Sequence, residues 1–155
     1  MISRPNTEQI LADCAREVRD TFLPATTDAG LKVMLEMLEQ ILGQCALRAG
    51  HELAWMAEEI AAIEPFVVAV IESVAPAPST TSAALDALQA GRTTSLHLDD
   101  RCAEYHLASE ALSTAMDAAY DAGHRELTSA GMVLLDARRD RENVLRPNFF
   151  FPGRS

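Results

Sequence analysis

The sequence predicts an all-α protein, a four-helix bundle of two antiparallel hairpins joined by a crossover that carries two short helices. Three observations predict it. First, from Asp28 to about Ile63 apolar residues recur every three or four positions. Leu31, Met34, Leu35, Leu38, Ile41, Leu42, Cys45, Ala49, Leu53, Met56 and Ile60 hold one side of a helix, while Lys32, Glu36, Glu39, Gln40 and Gln44 leave the other polar. At 1.5 Å per residue this helix runs about 50 Å. Second, two further long helical patterns lie near the C-terminus, on either side of Gly123. Third, the run Phe66–Ile71 has strand propensity but no second strand candidate to pair with, and a lone strand leaves its backbone groups unsatisfied.

The first helix starts at Asn6 or Thr7, where Asn6 caps and Gln9 reaches back in a capping box, and it ends just before Pro24. Its buried stripe is Ile10, Leu11, Cys14, Val18 and Phe22. After the turn Pro24–Thr27, Asp28 caps the long second helix, which makes an antiparallel hairpin with the first. Pro65 suits the first turn of a separate short helix, Phe66 to Val74. A proline-bearing connection, residues 75–81, then leads to a small helix from Ser82 to Ala90 that Gly91 closes.

Asp99 or Asp100 caps the next long helix, whose inward stripe is Cys102, Tyr105, Ala108, Leu112, Ala115, Met116 and Ala119, and Gly123 ends it. The last helix runs from about His124 to Leu145 with Leu127, Ala130, Leu134, Ala137 and Val144 inward. Arginines near its end suit the negative pole of the helix dipole.

With 155 residues, 48% hydrophobic and 23% charged, the chain is expected to fold as one domain, 1–155. The formal charge of -10 argues against nucleic acid or an anionic membrane surface as a partner. From Arg138 to Ser155, however, five arginines face two acids, a local +3 that leaves -13 elsewhere, so residues 146–155 are expected to dock on the acidic body. Cys14, Cys45 and Cys102 are odd in number, widely separated and on apolar faces, and read as buried thiols in a reducing cytoplasm. The N-terminus lacks the apolar core of a signal peptide, and no stretch reaches the ~18 apolar residues of a membrane span.

The sharpest polar constellation is Arg48, Glu52, Trp55 and Glu59, spaced so as to share one helix face, with His51 and Glu58 flanking. Such a face binds a small polar ligand if Arg48 holds an anion and Glu52, His51 or the more distant His106 acts as base. The plainer reading is an Arg48–Glu52 helix ion pair beside a packing Trp55. His106 and Glu110 are one turn apart with Asp117 further along. No Glu is followed three residues later by His, so the carboxylate-bridged di-metal pattern is missing, and no metal or cofactor is expected. Phosphate-binding loops, dinucleotide turns, nucleophile elbows and Cys-x-x-Cys motifs are also missing.

Two apolar features need cover. The first helix is too short to cover the outer half of the second, so Leu53, Trp55, Met56, Ile60 and Ile63 must pack on the last two long helices, on the crossover or on another subunit; the last alternative assigns Leu53, Met56, Ile60 and Ile63 to an interface and predicts a homodimer. Phe149, Phe150 and Phe151, set between prolines, need a groove or a partner as well.

The stretch Arg4–Asp13, the Leu23–Pro24 helix end, Leu35–Glu39 and Arg48–Trp55 resemble a group of small actinobacterial proteins of unknown function. That group looks related to a wider family of helical proteins often encoded beside acyl-CoA dehydrogenase-like and aminoglycoside-phosphotransferase-like enzymes. The likeness covers roughly the first 65 residues and lies in helix faces. It implies a helical accessory protein with a partner enzyme, and it carries over no catalytic residue. The expected function is therefore a non-enzymatic accessory or interaction protein that self-associates. The alternative is a small enzyme or small-molecule-binding protein with its pocket between the long second helix and the helix that bears His106.

Overall fold

Asn6 opens the first helix through a complete capping box. Its side chain accepts from the Gln9 N–H at 2.9 Å, and the Gln9 side chain accepts from the Asn6 N–H at 3.0 Å. The computed structural model describes residues 4–145, and among them it is all-helical with no strand. Helix α1 is Thr7–Glu17, prolonged by a π-helical stretch, Val18–Phe22, and one more α turn, Leu23–Ala25. It therefore passes the expected stop at Pro24. The π turns widen the chain just ahead of this proline, whose ring clashes with the carbonyl four residues back in an unbroken α-helix.

Asp28 accepts from the Leu31 N–H at 2.7 Å and starts α2, Ala29–Ser73. The expected break at Pro65 does not occur, so the crossover carries one short helix rather than two. Pro65 costs α2 a hydrogen bond, but Ile63, Phe66, Val67 and Val70 on either side of it are all buried in one core, and that burial outweighs the lost bond. The remaining helices are α3 (Ser79–Ala90), α4 (Leu98–Asp121) and α5 (Arg125–Leu145). His97, rather than Asp99 or Asp100, precedes α4, and both aspartates lie in its first turn, where they favour the positive end of the dipole. Gly123 ends α4 with φ of 66°, a left-handed conformation that glycine adopts without penalty.

Contacts divide the chain into two units. Among the described residues, one holds those up to Glu52 together with Arg141–Leu145, and the other holds Leu53–Asp140. In the first unit, Ala15, Val18 and Ala46 are buried, and Arg19 pairs with Glu39 at 3.4 Å between α1 and α2. Much of the expected buried stripe is exposed: Ile10, Cys14 and Phe22 on α1, and Leu31, Met34, Leu38, Ile41 and Cys45 on α2. The stripe on α2 is wider than the cover that α1 gives. Cys102 is half-buried, so none of the three free cysteines is a core residue.

The second unit has a continuous core in which Ile60, Ile63, Val67 and Val70 of α2 meet Ala84 and Leu88 of α3 and Ala108, Ala111, Leu112, Ala115 and Ala119 of α4. Leu127 and Leu134 of α5 pack against it. Alanines on α4 allow close helix approach. Buried Thr81 of α3 donates to the Thr114 carbonyl of α4 at 3.1 Å. Glu64 of α2 accepts from Gln89 at 3.2 Å and also pairs with Arg92, just past the end of α3.

Gly131 of α5 is buried, and a Cβ there would overlap the Met116 sulfur and stand 2.9 Å from Phe66 Cζ. Gly131→Ala is therefore expected to lose stability by about 1–2 kcal/mol, because overpacking outweighs the roughly 1 kcal/mol gained in helix propensity. Chemical denaturation measures it, and a more stable variant would contradict this packing.

Candidate functional site

The polar groups that the fold brings together are not those that share spacing in the sequence. Glu59, on the α2 segment of the second unit, is half-buried and accepts from the Tyr105 hydroxyl of α4 at 2.7 Å and from Arg138 Nε of α5 at 2.9 Å. Arg138 Nη2 donates to Ser109 Oγ of α4 at 3.2 Å, and the guanidinium lies 5.0 Å from the centre of the Tyr105 ring. One carboxylate thus ties three helices together. Its two charge-assisted bonds come from fixed donors in a sheltered site, an arrangement that orients helices and holds the carboxylate as an acceptor.

Tyr105→Phe removes a hydroxyl bonded to a charged acceptor and is expected to cost about 1.5 kcal/mol. In combination with Arg138→Met the losses should be non-additive, since both donors serve one carboxylate. Denaturation of the two single variants and the double variant measures the coupling, and strict additivity would dissolve the network.

Of the sequence-predicted set, Arg48 and Glu52 belong to the first unit and form the expected i, i+4 ion pair. Trp55, Glu59 and His106 belong to the second. Trp55 is half-buried, while His51, Glu58 and His106 are exposed. Glu59 alone of that set enters the described network, and its partners Tyr105 and Arg138 stand 46 and 79 residues away in the chain. No local pattern signals such a pairing.

Glu104 is a second buried charge that sequence reasoning missed. It is 2% exposed on α4 and accepts from Arg101 Nη1 at 2.8 Å. Its signal was an Arg and a Glu three residues apart, a spacing common on solvated helices.

The proposed interface residues separate in the same way. Ile60 and Ile63 are core residues of the second unit, which corrects the expectation that they lack cover within the chain. The reason is that α3 and α4 pack on that part of α2, so the crossover and the next long helix supply the cover that the interface assignment gave to a second subunit. Met56 is half-buried and Leu53 is 37% exposed. Phe149, Phe150 and Phe151, with the docked tail expected over 146–155, lie outside the described residues.

Two open grooves in the second unit, of about 430 and 580 Å³, are lined respectively by residues around Tyr120, Arg125 and Met132 and around Pro76, Pro78 and Asp117. Of the polar residues singled out in the sequence, Asp117 lines the second groove, and none of Arg48, His51, Glu52, Trp55, Glu59 and His106 lines either. Among the described residues, no three His, Cys, Asp or Glu side chains are grouped to hold a metal ion, and no helix is long and apolar enough to cross a membrane. Compared with protein-family models, curated proteins and solved structures, the chain matches none.

Proposed function

We propose that this protein is a helical interaction module that self-associates and holds a partner protein, with no catalytic step of its own. The observation that carries this reading is the exposed apolar row on α2 of the first unit, where Leu31, Met34, Leu38 and Ile41 are 43 to 67% exposed. A contiguous apolar row of this size marks an interaction surface. Support also comes from the polar groups of the second unit. The Glu59–Tyr105–Arg138 cluster spends its donors and acceptor on joining helices, which is a structural use of the groups an enzyme would present to substrate.

A reducing cytoplasm suits exposed, unbridged Cys14 and Cys45. A partner enzyme is suggested by the resemblance of the first 65 residues to small helical proteins of unknown function, whose wider family is often encoded beside enzymes.

Light scattering on the intact chain at tens of micromolar tests the reading. A dimer mass is expected, and Met34→Glu should return the monomer mass with an unchanged helical spectrum, since Met34 is 67% exposed and contributes little to the fold. A monomer mass for the unmodified chain would sink self-association.

A further inference from the structure

The exposed row on α2 has a more specific property than apolarity. Leu31, Met34, Leu38, Ile41 and Cys45 follow one another at steps of three, four, three and four. That is the spacing of a coiled-coil seam, in which alternate positions repeat every seven residues and face a second helix along their whole length. Side chains of a seam that is already satisfied are buried. Here the four large ones are 43 to 67% exposed and Cys45 is exposed too. The row lies wholly within the first unit, where the α1 region approaches a different flank of α2, at Glu39, which pairs with Arg19, and at Gly50, which lies beside Glu8.

We infer that a second copy of this chain lays its own α2 antiparallel on this seam. The inference rests on the self-association proposed above and adds its geometry. Antiparallel seams pair alternating positions, so Leu38 meets the second copy's Ile41, Met34 meets its Cys45, and Leu31 meets its Arg48.

Two arguments select this occupant. The seam's ends are complementary in charge, because Arg48 comes alongside Leu31 of the other copy, one turn from Asp28, at both ends of a two-fold pair. A parallel pair would instead set Arg48 against Arg48 and Glu52 against Glu52. The seam is also self-complementary in length, since a helix identical to α2 offers the same five positions in the reverse order.

The test uses the native Cys45. In the full-length chain carrying Cys14→Ser and Cys102→Ser, Met34→Cys sets a thiol opposite the second copy's Cys45. Mild oxidation is expected to convert most of the protein to a disulfide-linked dimer, and peptide mass analysis should join position 34 to Cys45. These positions are eleven residues apart, roughly 16 Å along one helix, beyond the ~7 Å Cα reach of a disulfide, so the bond must form between copies.

Linkage of Cys45 to Cys45, or of position 34 to itself, would show a parallel pair. It would overturn the geometry while leaving self-association standing. A monomer mass for the unmodified chain overturns both. If a dimer forms only after residues 146–155 are deleted, the seam is covered by the chain's own C-terminal segment, and the inference fails on its choice of occupant.

Discussion

Leu88→Ala is expected to destabilise the second unit by about 3–4 kcal/mol, within the range measured for leucine truncation in close-packed cores. Leu88 sits on α3 with 1% of its surface exposed, in the cluster that joins Ile63 and Val67 of α2 to Ala108 and Leu112 of α4. Several of its neighbours are alanines and valines, short side chains that cannot swing into the space a leucine leaves. The cavity should therefore persist and add to the lost transfer energy. Urea unfolding followed by circular dichroism measures the change. Leu96→Ala is the control, since Leu96 is 75% exposed and its truncation should lie within about 0.5 kcal/mol of the parent. A loss below about 1 kcal/mol for Leu88→Ala would mean that α3 is not part of the core that organises this unit.

Arg101→Ala is expected to cost about 3 kcal/mol, because it strands a buried carboxylate. The Glu104 side chain is 3% exposed and that of Arg101 is 18% exposed, so water reaches neither well, and the 2.8 Å bond between them compensates the burial of the acid. Removing the cation leaves the desolvation penalty and takes away the attraction. Replacing both partners, Arg101→Met with Glu104→Leu, should recover most of the loss, because two apolar side chains of similar volume need no such compensation. Denaturation of the three proteins decides the matter. Equal stability of Arg101→Ala and the parent would show that Glu104 is hydrated in solution, and a double variant as weak as the single would assign the loss to packing by the arginine stem.

Local chemistry made much of this protein legible in its sequence. The all-helical class follows from apolar residues recurring every three or four positions. The Asn6–Gln9 capping box, the Asp28 cap and the Gly123 stop all act within a few residues, so reading the chain finds them. The Arg48–Glu52 pair was legible for the same reason: one helical turn fixes it.

Tertiary structure decided which apolar faces are covered. Ile60 and Leu38 obey the same periodicity on the same helix, yet Ile60 is 6% exposed and Leu38 is 43% exposed. Periodicity tells which side of a helix avoids water, and only the placement of α1, α3 and α4 determines where that side finds a partner. Pro65 shows the same limit, because its local cost predicts a break while the shared core on both sides keeps α2 continuous. The Glu59 network lies furthest from sequence reading. Tyr105 and Arg138 become its donors through the packing of three helices, and hydrogen bonds depend on distance in space, to which separation along the chain is no guide.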